Sequence, residues 1–212
     1  MAAAALSTML ALLLTLLPAR ADTWPDWQLP APLQPAGKAD LIYPSWFAGD
    51  WTVQTTTATG EPLRYAARFG PARGGRIVGD RAFNAAAVGQ AVLGTALLRV
   101  ENDPGNPNRQ LARLTNDQLL ESSVIARRSE QTADGFWSDE LALQVVHNGV
   151  KPRISQVETL SRYRLERDGR ISGEQWQVSY ASPSEGLRQA GVRSDHWPLT
   201  LTPEPTGSDR AS

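Results

Sequence analysis

His147 and His196 are the only imidazoles in the 212-residue chain, and there is no cysteine. Neither histidine has a second histidine or an acid at ligand spacing. In Ser194-Asp195-His196 the neighbours alternate between the two faces of an extended strand. No metal site is therefore expected, and the lack of thiols excludes thiolate-zinc and iron–sulfur chemistry. No G-x-S-x-G is present, so a Ser-His-Asp arrangement has no visible seat. Asp139 and Glu140 adjoin, but in a strand they point to opposite faces and cannot flank one substrate bond. The residues predict a protein that is not an enzyme and that carries no cofactor.

Three other stretches invite a ligand. Asp103-Pro104-Gly105-Asn106-Pro107-Asn108 holds a single carboxylate, too few for a dedicated cation loop, and its composition is that of a wide turn. The stretch "GPARGGRIVGD" from Gly70 to Asp80 has glycines and arginines that suit a phosphate. It opens no helix in the phosphate-binding manner, so it reads as a strand-linking loop. Arg64, Arg68, Arg73, Arg76 and Arg81 cluster in a chain whose only lysines are Lys38 and Lys151. They form either a solvated outer face, which is preferred, or a surface for carboxylate or phosphate partners. The strongest candidates are aromatic. Trp51, Tyr65, Phe83, Trp137, Trp176 and Tyr180 would line a cavity in a hollow barrel, or be the core of a filled one.

These side chains need strands to hold them. Leu63, Tyr65, Ala67 and Phe69 alternate with Arg64, Ala66 and Arg68, the period of a half-buried strand. Trp137, Leu141, Leu143 and Val145 alternate with Ser138, Glu140 and Gln144, with Asp139 placed on the apolar side. Trp176, Val178 and Tyr180 share one face of another strand. Asp168-Gly169 predicts a two-residue hairpin with positive φ at both positions. Turn residues at regular spacing give about eight or nine strands, ending in one over Asp195 to Thr202. Helix is limited to a short piece over Ala85 to Leu93, stopped by Gly94, and one begun by the capping box Ser182-Pro183-Ser184-Glu185.

Outside this domain, expected over residues 45–203, the composition changes. Leu10 to Leu17 is an apolar run too short to cross a bilayer, followed by Ala19-Arg20-Ala21. Residues 1–21 read as a signal peptide, with an uncleaved anchor as the competing reading. Residues 22–44 are rich in proline and carry Trp24 and Trp27, the mark of a docking strap or of a flexible linker. Residues 204–212 read as a disordered tail. The net charge of −1 argues against nucleic acid or an anionic membrane surface as partner.

Gly49-Asp50-Trp51, entering the first long strand, resembles the G-x-W that opens lipocalin-like barrels. That resemblance implies that Gly49 and Trp51 close one end of the barrel. The arginine that lipocalins commonly pack on this tryptophan has only His196 as a counterpart here. The stretches "YPSWFAGDWTV", "IVGDRAFN", "VENDPGNPNRQ" and "VETLSRYRL" together resemble an uncharacterised exported family of cyanobacteria and plastids. This second resemblance spans about Tyr43 to Pro203 and implies a periplasmic or thylakoid-lumen location, with no activity attached.

The expectation is an all-β domain, a single antiparallel up-and-down lipocalin-like barrel of about 8–9 strands with one or two short helices, exported and monomeric. Its predicted role is to bind an apolar small molecule such as a pigment, lipid or quinone. The alternative is an accessory or assembly module of a photosynthetic or envelope membrane protein complex, docking through Trp24, Trp27, Arg64 and Arg68.

Overall fold

The computed structural model describes residues 33–57, 59–149, 151–180 and 193–205. Trp24, Trp27, the segment 1–21, the capping box at Ser182 and the last seven residues lie outside this set. Within it the chain is all-β apart from one α-helix and two single 3₁₀ turns.

Alternation writes the strands. In β3 (Pro62–Pro71) Leu63, Tyr65, Ala67 and Phe69 are buried while Arg64, Ala66 and Arg68 face water. β2 (Gly49–Thr56) buries Trp51 and Val53 beside it. β4 (Ile77–Gly79) is only three residues long. Then follow β5 (Leu97–Asp103), β6 (Asn106–Leu114), β7 (Leu119–Gln131), β8 (Gly135–His147), β9 (Arg153–Leu165), β10 (Ile171–Tyr180) and β11 (Arg193–Pro203).

Every neighbouring pair is antiparallel, in the order β4-β3-β2-β11-β10-β9-β8-β7-β6-β5. The first long strand thus pairs with the last, Val53 opposite Leu201. β1 (Gln34–Pro35) continues the lane that β6 leaves free along β7, with the Ala36 N–H donating to Ile125 O at 3.0 Å.

The sheet curls into a half-barrel of ten strands, not the closed barrel of eight or nine that the turn spacing suggested. Helix α1 (Arg81–Leu93) runs between β4 and β5 and packs on β3 and β5, so the ladder ends where the helix begins. The strand count rose because β4 is too short to display a period. The helix starts four residues before the expected Ala85, because Asp80 caps it by accepting the Phe83 N–H at 3.2 Å. Gly94 ends it at φ 54°, as expected. Asn84, fully buried, pins the helix to β3 by accepting from Arg68 N at 2.6 Å and donating to Arg68 O at 2.9 Å.

The Asp168-Gly169 hairpin forms, but only Gly169 has positive φ. The Glu166 N–H donates to Arg170 O and the Gly169 N–H to Glu166 O, making a three-residue loop that relieves Asp168 of the left-handed region. The two-residue turn with both positions left-handed lies elsewhere, at Asn116 and Asp117 between β6 and β7.

The inner face is apolar at one end and polar at the other. Tyr65, Val53, Leu201 and Ile171 stand in one row across β3, β2, β11 and β10. Phe136, Tyr163, Gly173 and Leu199 form another, and a Cβ on Gly173 would lie 2.7 Å from the Tyr163 ring, so glycine is required there. Further along, Arg127, Glu140, Thr159, Gln177 and Asp195 make a polar row across five strands.

Residues 41–47 run into the apolar end. Phe47 packs at ring-centroid distances of 4.9 Å from Phe69, 5.8 Å from Phe136 and 5.2 Å from Tyr163. Tyr43 adds contacts of 4.8 Å to Phe69 and 5.2 Å to Phe136. The Trp51 indole donates to Phe47 O at 2.8 Å, and the ring is buried. The aromatic surface before β2 is therefore core: the chain fills this end of its own sheet.

Candidate functional site

Strand β8 is buried on both faces, so Asp139 and Glu140 are both withdrawn from water, on opposite sides. They meet different neighbours. Glu140 faces inward, where Arg127 Nε lies 3.2 Å from its carboxylate. Around them Arg81 Nη2 contacts Asp40 Oδ1 at 2.5 Å and donates to Asn108 Oδ1 at 2.9 Å. Arg127 donates to the same Asn108 oxygen and, at 3.0 Å, to Ala39 O. The Asn108 amide nitrogen donates to Gly37 O at 2.9 Å and Ala39 O at 3.1 Å. Two guanidiniums thus meet two carboxylates, and Asn108 uses its whole hydrogen-bonding capacity. Burial pulls Arg81 down to about 10, against the opposing pull of Asp40 and Glu140. This polar clasp ties Gly37–Asp40 onto the sheet.

Asp139 faces outward. Glu158 of β9 lies diagonally beside it within hydrogen-bonding reach, and the Tyr180 hydroxyl of β10 donates to Glu158 Oε2 at 2.6 Å. Asp139 is 0% and Glu158 2% exposed. Burial, then the charges of Glu158 and Glu140, push Asp139 up to about 8, while Arg128 opposes weakly. Burial raises Glu158 too, against its hydrogen bonds with Tyr180 and Asp139. Burial and the neighbouring Glu158 carboxylate drive the Tyr180 hydroxyl up. Two carboxyls sit side by side without water and faced by Arg128, an arrangement that raises the proton affinity of both.

Next to this pair, on the same outer face, Glu130, Trp137, Arg162 and Glu174 form a row. They line a groove of about 640 Å³, bounded by Asp134, Arg164 and the β9–β10 hairpin residues Ser172 and Gly173. Arg128 stands over the Trp137 ring at 5.2 Å, and the indole N–H donates to Glu130 Oε2 at 3.2 Å. A half-buried indole beside charged groups of both signs suits a ligand with a flat body and a polar end.

The six aromatic candidates do not share a cavity. Trp51 and Tyr65 are on the inner face within the core. Phe83 is on α1, its ring beneath the Arg68 guanidinium at 4.2 Å. Trp137, Trp176 and Tyr180 are on the outer face, where Trp176 stacks on His196 at 4.7 Å. Period two placed each set correctly along its own strand, yet carried no information on which face the sheet would enclose. Gly49 has φ 129° beside the Trp51 indole, at the apolar end of the inner face.

The arginines also separate. Arg64, Arg73 and Arg76 are exposed, and Arg68 is surface-paired with Asp50 at 2.7 Å. Arg81 is 2% exposed and belongs to the clasp, so the expected outer basic face loses it. The reason is the first turn of α1, which directs Arg81 toward Asp40. His147 lies 3.2 Å from Glu121 and His196 3.6 Å from Glu174. Asp103 Oδ1 accepts the Gly105 N–H at 2.7 Å, the bond of a turn-forming aspartate. The Asp139–Glu158–Tyr180 cluster was missed as a site. Its one signal was an acid on the apolar face of an alternating strand.

A family described as a domain of unknown function, DUF6816, matches residues 54–200. No curated protein and no solved structure matches the chain.

Proposed function

The chain belongs to DUF6816, a domain of unknown function, and from the groove on its outer face we propose that it is an exported, non-enzymatic binding protein. The ligand is an amphiphile, a pigment, lipid or quinone, whose flat part rests on Trp137 and whose polar end meets Arg162 and Arg164. The observation that carries this reading is the groove itself, open and of ligand size, where an indole and two guanidiniums share a wall. The alternative seat, the aromatic end of the inner face, is occupied by Tyr43 and Phe47. The leader over residues 1–21 directs the protein to a periplasm or thylakoid lumen in this proposal, in line with the cyanobacterial and plastid likeness. N-terminal sequencing of the mature protein checks the cleavage after Ala21.

Titration of the purified chain with a short-chain quinone and with a lysophospholipid, followed by tryptophan fluorescence, tests the groove. Saturable quenching that Trp137→Ala and Arg162→Ala each weaken by about tenfold is the expected result. Quenching unchanged in both variants, or none at all, rejects the reading.

A second reading, the accessory module of a membrane protein complex, is favoured by the edge of β5 beyond Leu97, whose carbonyl already accepts from Gln90 of α1. Among the described residues this strand pairs only with β6, and Leu98 on it is 60% exposed. An added strand from a partner would find both unpaired backbone groups and an apolar side chain there. Leu98→Asp abolishing co-purification with a membrane complex is its expected signature.

A further inference from the structure

We propose that Asp139 and Glu158 form a proton-operated latch: they share one proton, and its loss releases the segment Leu33–Ala36 from the outer face. The inference is independent of the groove's ligand. It starts from a set of atoms without donors. Neither oxygen of Asp139 has a neutral donor beside it, and neither reaches water. Glu158 has one, the Tyr180 hydroxyl. The groups facing the pair are Arg128 from β7, Tyr180 from β10 and, through β8 from the inner face, Glu140. His196 of β11 is on the same face, engaged with Trp176. One proton placed between the two carboxyls gives Asp139 the bond it lacks and leaves a single negative charge for Tyr180 and Arg128 to answer. Removing the proton leaves two buried carboxylates side by side, which only hydration relieves.

Water enters where the structure yields most easily. Leu33 packs against Leu141, Val178 and Tyr180, the apolar cluster that surrounds the pair, and it leads directly into β1. β1 is two residues long, whereas β8, β9 and β10 each lie between two long ladders. Local opening follows the smallest set of bonds. It stops at Gly37, because the clasp of Arg81, Asn108 and Arg127 grips Gly37–Asp40 with charges that are already balanced. The latch therefore opens one end of the strap and leaves the other seated.

The Ala36 amide, bonded to Ile125 O, is the reporter. Hydrogen exchange of the full chain, corrected for the intrinsic effect of pH, is measured at about pH 6 and about pH 9. The expected result is at least about a tenfold loss of Ala36 protection at the higher pH, with the amides of β9 unaffected. In Asp139→Asn the amide donates to Glu158 without a proton to lose, and protection at Ala36 becomes the same at both pH values. Wild-type protection that does not change, or a change that persists in Asp139→Asn, overturns the latch. Should that variant not fold, infrared spectroscopy of the wild type decides: a carboxylic acid C=O band that titrates across this range supports the shared proton, and its absence overturns it.

Discussion

Asp139 and Glu140 are consecutive residues of similar chemistry, and the sheet gives them opposite surroundings. Glu140 meets arginines, and its charge becomes part of the clasp that fastens the N-terminal segment. Asp139 meets another acid and a phenol, and a proton takes the place of a cation. The difference is set by strand parity alone: one step along β8 moves a carboxyl to the other side of the sheet. A buried acid with a matched cation fastens one piece of chain to another. One with an acid for a neighbour makes the structure listen to pH.

The largest effect should come from breaking the balanced side. Glu140→Ala leaves Arg127 and Arg81 with surplus buried positive charge and is expected to cost about 3–5 kcal/mol in urea unfolding. The loss should be smaller at about pH 9 than at about pH 5, because Glu140 is one of the charges that push Asp139 up and its removal relieves that repulsion once Asp139 ionises.

The second effect has a pH signature. Asp139 is raised in the folded state to about 8 from the ordinary aspartate value of 3.8. Between those values the native protein holds a proton that the unfolded chain has released. Stability therefore falls as pH rises through this window and levels off above it. Asp139→Asn should flatten that slope in chemical denaturation, so that by pH 8 the variant is at least as stable as the parent. A parent whose stability is level across the window would erase the contrast between the two acids.

Smaller again is Tyr180→Phe, which deletes the hydroxyl that donates to Glu158 and should cost about 1–3 kcal/mol. It sharpens the comparison by raising the affinity of the pair for its proton, moving the pH midpoint upward. The smallest change belongs to the surface. Arg68→Ala removes an exposed pair with Asp50, and a thermal melt should register less than about 1 kcal/mol.

How much of this was written in the sequence depends on which question a strand answers locally. The alternation in Leu63 to Phe69 gave the faces of β3 because one face meets water. The same reading of β8 named the parity of Asp139 but not its meaning, since a strand buried on both faces has no polar side to serve as reference. Partners across strands are a matter of register, which a single stretch does not contain, so Glu158 and Tyr180 went unlinked to Asp139. Arg81 was grouped with arginines close to it in sequence, and only the cap at Asp80 turns it inward. Tyr43 and Phe47 lie just ahead of β2, where no strand alternation exists to assign them a face. In the fold they are the filling of the sheet, brought there by a chain that doubles back beneath it.

The pairing of β2 with β11 has a consequence for when the domain can form. Its opening strand has no neighbour on that side until the last residues of the unit have left the ribosome. Contacts of such long sequence separation assemble slowly. Under the export proposed above, this delay gives the nascent chain time, because a threading translocation pore accepts an extended polypeptide and rejects a finished sheet.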